Sequence, residues 1–143
     1  TVKFAFEHSK YISSNIEPIS LDNVAYSANL NNYNFNSKCY LKEKIFYSEL
    51  SLLFIVEPIN VTTSNINLPY YVAIINEEDE LIDIQYYQID GFFDIDEDST
   101  QSSETELTTT INIKILNADD KVYLKNKIII GFLLDNKKLE ILN

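Results

Sequence analysis

At 143 residues, 45% apolar and 23% charged, the chain matches a single domain large enough to enclose a core, and it is too apolar to stay disordered. Its 22 acidic residues outnumber 11 basic ones, for a formal charge of −11. That leaves no basic footprint to displace counterions from a phosphate backbone, which argues against nucleic acid as a partner and against direct adsorption to an anionic lipid surface.

No run reaches the ~18–20 apolar residues that span a bilayer. With two glycines and three prolines, most turns must be built from Asn, Asp and Ser. In chain order, residues 2–6 offer a short strand and residues 13–18 a linker. Residues 22–30 alternate, with Val24, Tyr26, Ala28 and Leu30 on one face. Residues 46–56 repeat the pattern, with Phe46, Leu50, Leu52, Phe54 and Val56 opposite Tyr47, Glu49 and Ser51. Residues 70–75 are apolar on both faces, as in a strand inside a sheet, and Pro69 sits at the start of that run, where a strand tolerates proline. A polar break over residues 76–80 has hairpin length and leads to a strand over 81–89.

The clearest alternation is residues 107–115, with Leu107, Thr109, Ile111, Ile113 and Ile115 facing one way. Residues 122–134 form a long Ile-rich strand in which Gly131 marks a bulge or a close backbone approach. Only residues 135–142 read as helix, two turns capped by Asp135, with Leu134, Leu139 and Leu142 on one face. The expected fold is all-β. It is a single antiparallel β-sandwich over residues 1–143, of the immunoglobulin-like or transthyretin-like kind, with about seven to eight strands and a short C-terminal helical turn.

Few residues carry the marks of chemistry. Asp94, Asp96 and Asp98 have the one-three-five spacing that opens a calcium loop. The sixth and twelfth places hold Ser99 and Thr105 instead of Gly and Glu, and the flanks read as strand, so a solvated acidic loop is expected, with Ca²⁺ as the one cofactor the sequence suggests. His8 is the only histidine; its neighbour Glu7 would point to the opposite strand face, so no orienting partner is evident and a surface position is expected. Cys39 is the only cysteine, which rules out an internal disulfide and fits a small core residue. Tyr70-Tyr71 and Tyr86-Tyr87 each place one ring on either face of a strand, and the outward ring of each pair could join a binding surface. No nucleophile elbow, phosphate loop, dinucleotide fingerprint or paired metal motif is present, so no enzymatic activity is assigned.

Three stretches together carry a resemblance: LDNVAYSA at residues 21–28 with SKCY at 37–40, LPYYVAI at 68–74, and IIGFLL at 129–134. In that order and spacing the chain resembles a family of small uncharacterised lipoproteins of alphaproteobacteria. The matched pieces are core strands, a turn and the lone cysteine, so no active-site residue carries over. The resemblance implies a periplasmic domain in a Gram-negative cell envelope, joined to the membrane only through a lipid on a cysteine upstream of Thr1. The chain contains no Met, which fits a removed leader or a truncation point before Thr1. It departs from the family in lacking the mature-start cysteine and in the charge of its acidic loop. The function expected on these grounds is a non-enzymatic domain that binds another envelope protein. Alternatives are a calcium- or carbohydrate-binding β-sandwich using the acidic loop, and a structural subunit of a larger assembly.

Overall fold

A computed structural model describes residues 2–35, 40–61, 63–93, 104–115 and 126–143. These form nine strands and one helix: β1 (Val2–Phe4), β2 (Lys10–Ser14), β3 (Val24–Phe35), β4 (Tyr40–Lys42), β5 (Ile45–Pro58), β6 (Asn65–Ile75), β7 (Leu81–Phe92), β8 (Thr105–Ile115), β9 (Lys127–Phe132) and α1 (Asn136–Leu142). A 3₁₀ turn, Phe6–His8, follows β1.

The strands make two sheets. The first has the order β1-β9-β6-β7, with β1 parallel to β9 and the other pairs antiparallel. In the second, β2 pairs with β3 and β3 with β5. The short β4 continues along the same edge of β5 as β3, and β8 takes the opposite edge. The chain is thus an antiparallel-rich β-sandwich, as period two predicts.

The core lies between the sheets and is supplied by alternate residues. Leu50, Leu52, Phe54 and Val56 on β5 face Ile66, Leu68, Tyr70 and Val72 on β6, all buried. Phe54 sits at the centre, its ring 5.2 Å from that of Tyr70 and 5.7 Å from that of Phe132. Each such side chain stabilises the fold by about 1.5–3 kcal/mol through burial. Tyr26 ties the sheets together at one end, its hydroxyl donating to the Asn67 carbonyl and accepting from the Asn67 N–H, both at 3.1 Å.

Three expectations need correction. Residues 13 and 14 are not linker: they finish β2, with Ser13 opposite Tyr26. Two neighbouring residues of β2 are buried on opposite faces, Tyr11 in the main core and Ile12 in a small second core with Ile19 and Val24, and this hides the alternation. That second core lies under α1, whose Ile141 and Leu142 pack on it; Leu134 joins the main core instead of a shared helical stripe. The Asp135 cap is as expected, its carboxylate accepting from the Lys138 N–H at 2.8 Å.

Pro69 is not at a strand start, because β6 begins at Asn65. The Pro69 carbonyl accepts from the Leu133 N–H at 3.0 Å, one residue past the end of β9. In an extended chain the N and O of one residue point to the same side, so the donor that proline lacks faces the place where the β9 ladder has already ended. Of the two readings of Gly131, the structure selects close approach: the β6–β9 register runs through Tyr71↔Gly131 without a shift.

Candidate functional site

The four tyrosines occupy facing positions on β6 and β7, where Tyr70 pairs with Tyr87 and Tyr71 with Tyr86. Alternation sends the first pair inward and the second outward. Tyr70 is only 1% exposed and stacks on Tyr87 at 5.4 Å, so it is a core residue and not a contact residue. Burial, then the neighbouring Tyr87, pushes the Tyr70 hydroxyl up to about 12, while a hydrogen bond with Thr109 pulls the other way.

On the outer face Tyr86 is 63% exposed. Its partner Tyr71 is half-buried, and that burial raises its pKa. What covers Tyr71 is the 3₁₀ turn, whose His8 ring meets the tyrosine edge-on at 5.9 Å. The His8 Nδ1 lies 3.2 Å from the Phe132 carbonyl, which fixes the imidazole over β9. Both rings need the space above Gly131: a Cβ there would lie 2.6 Å from the Tyr71 hydroxyl and 2.8 Å from the His8 Cβ. Along the same face of β7 follow Gln88, whose amide donates to Asn67 Oδ1 and Asp90 Oδ1, and then the exposed Phe92. The 3₁₀ turn also holds out Phe6, 91% exposed.

A second feature lies at the end of the sandwich where Tyr26 bridges to Asn67. It is a cleft of about 260 Å³ whose walls are Ser13, Ser14 and Asn15 on one side and Thr63, Asn65 and Asn67 on the other. Tyr11, Ala25, Tyr26 and Val61 complete it. No motif in the sequence signals this cleft, since its residues come from four separate segments. Nor does the sequence link His8 to Tyr71, which is 63 positions away; only the glycine at 131 hints at a close contact.

The remaining candidates fall elsewhere. Asp94, Asp96, Asp98 and Cys39 lie outside the described residues. Among the described residues no three His, Cys, Asp or Glu side chains gather as a metal site would require. Also among them, no helix is long and apolar enough to cross a membrane.

No protein-family profile matches the chain, and no curated protein matches it. A similar solved structure is the variable (V) domain of the Streptococcus agalactiae AgI/II polypeptide BspA, at 9% identity. That alignment covers 94% of this chain and 78% of the other, with a TM-score of 0.21, too low to carry an argument. The class is defined by the sheets themselves: an all-β, antiparallel-rich sandwich.

Proposed function

We propose that this chain is a protein-binding β-sandwich that acts by contact and not by catalysis, and that its binding surface is the outer face of the first sheet around Tyr71 and Tyr86. The observation that carries this reading is the exposed ring of Tyr86 beside a Tyr71 held in place by His8 and Gly131. A large ring with few rotatable bonds, fixed on a strand, offers contact area at low entropic cost, which is why tyrosine is enriched in binding surfaces. Ile84 and Phe92 extend the same face of β7. The location proposed with it is the periplasmic side of a Gram-negative envelope, supported by the strand motifs given above.

A photo-crosslinking residue in place of Tyr86, compared with one at Thr110 on the outer face of the second sheet, tests the surface in living cells. A discrete adduct from position 86 alone is the expected result. Equal adducts from both positions, or none from 86, would remove this face as the binding site. Fractionation of the native host tests the location: recovery in the cytosol would overturn it.

A further inference from the structure

The end cleft differs from the rest of the surface in one respect. Charged residues make up 23% of the chain, and none of the ten described residues that line the cleft is charged. The lining is hydroxyl and amide instead: Ser13, Ser14, Thr63, Asn15, Asn65 and Asn67. Each of these groups both donates and accepts hydrogen bonds. The Asn15 amide already donates to the Asn60 carbonyl at 2.7 Å and Asn67 Oδ1 accepts from Gln88 at 2.9 Å, so the hydroxyls of Ser13, Ser14 and Thr63 and the Asn65 amide carry most of the wall.

The backbone adds to the set. β9 pairs with β6 only over Tyr70–Ile75, so among the described residues the first part of β6 has no strand neighbour on that side. The Tyr26 hydroxyl takes up both peptide groups of Asn67 there. Two residues away, Asn65 turns its own N–H and C=O to the same side by the alternation of an antiparallel ladder, and no β9 residue reaches it. Ala25 and Val61 supply small apolar patches between the polar walls.

We propose that this cleft binds one ring of an uncharged sugar. A sugar hydroxyl is itself both donor and acceptor, so it matches a wall of hydroxyls and amides better than an ion does, and its C–H face suits the apolar patches. A phosphorylated or acidic sugar is disfavoured twice: among the described residues the lining holds no cation, and the chain carries a formal charge of −11. Lys138 bonds the Tyr11 hydroxyl at 2.9 Å but is not part of the lining. Size sets the limit. At about 260 Å³ the cleft is just below the ~300–1,000 Å³ of pockets that enclose drug-sized ligands, which corresponds to a single ring and not a buried chain. The cleft and the tyrosine face meet at β6, where Asn67 accepts from Gln88 and Asn65 pairs with Phe92, while Ser13 and Ser14 on β2 belong to the cleft alone.

The test is an amide NMR titration of the whole 143-residue chain with glucose, galactose, mannose, N-acetylglucosamine and N-acetylgalactosamine, and with glucuronate as the charged control. The expected result is a saturable shift of the Ser13, Ser14, Tyr26 and Asn65 amides with at least one neutral sugar and none with glucuronate. Thr63→Val and Ser14→Ala, each removing one hydroxyl from the wall, are expected to weaken that binding about tenfold without moving the melting temperature. No saturable shift with any of the five sugars overturns the proposal, as does equal binding of glucuronate. Saturable shifts at Tyr71 and Tyr86 alone would also overturn it while leaving the tyrosine face in play.

Discussion

Gly131→Ala is the sharpest probe of the arrangement around Tyr71. The new methyl would sit 2.6 Å from the Tyr71 hydroxyl, and 2.8 Å from both the Tyr71 Cζ and the His8 Cβ. Two of these atoms belong to the far end of a ring that can swing away. The third does not have that freedom. His8 donates its N–H to the Ala5 carbonyl at 3.0 Å, and the Ala5 N–H bonds the Ile130 carbonyl at 2.8 Å, so the 3₁₀ turn is fastened to the same strand that carries the methyl. Overpacking of this kind costs about 1–3 kcal/mol, against about 0.5–1 kcal/mol regained by replacing a strand glycine. The net expectation is a loss of about 1–2 kcal/mol in urea unfolding, with the m-value unchanged. In a Tyr71→Ala background two of the three clashing atoms are gone, so the cost of the same substitution should fall by about 1 kcal/mol. If Gly131→Ala is neutral, or if the two substitutions are additive, the close approach is not what position 131 provides.

Other expectations follow from single contacts. Because the folded-state pKa of Tyr70 lies above the usual phenol value, the unfolded chain loses its proton first as pH rises; stability is full below pH ~10 and is lost toward about 12, by up to about 2–3 kcal/mol. Unfolding curves taken across that range should show the loss, and Tyr70→Phe should lessen it, leaving the part due to Tyr71 and Tyr87, while costing about 1 kcal/mol at neutral pH through the Thr109 bond. Asn76 shapes the β6–β7 turn by accepting from the Glu78 and Glu80 N–H groups at 3.0 and 2.9 Å, so Asn76→Ala should destabilise by about 1–2 kcal/mol in the same assay. Glu43 and Lys44 both have positive φ, 52° and 64°, in the two-residue β4–β5 turn; Lys44→Gly should raise stability by about 1 kcal/mol, and a lower urea midpoint would refute the turn assignment. Tyr86→Ala should change stability by no more than about 0.5 kcal/mol while removing crosslinks to the partner from a photo-reactive residue placed at Phe92.

Much of the fold was legible because burial alternates along β5 and β8. β5 reads half-in, half-out for most of its length, and its buried set of Leu50, Leu52, Phe54 and Val56 is the set the period picks out. The acidic turn between β6 and β7 and the Asp135 cap were legible for local reasons of side-chain bonding. What escaped the sequence was burial from two sides. Tyr11 and Ile12 are adjacent and both buried, which happens only because α1 folds back over the outside of β2, and a period cannot express that. In the same way the tyrosine pairs could be divided into one inward and one outward ring, but not into which was which. That division depends on β6 facing β5 across the core, a long-range fact. The cleft was invisible for the same reason, its ten residues being drawn from positions 11 to 67.

Both surface features trace to one mismatch of strand length. β6 runs for eleven residues, while β9 supplies six and pairs only with the second half. Over that half, β9 brings Gly131 under the Tyr71 ring and anchors the 3₁₀ turn that holds it, so the outer face there is ordered around aromatic side chains. Over the first half β6 would be a bare edge, a liability for any sheet. Tyr26 reaches across from the other sheet to occupy Asn67, and the space beyond it is the cleft. Pro69 stands at the division and cannot donate to a longer β9, so the ladder has no means of extending over the cleft without losing a bond at that point. The length of β9 therefore sets where the domain presents rings and where it presents hydroxyls and amides.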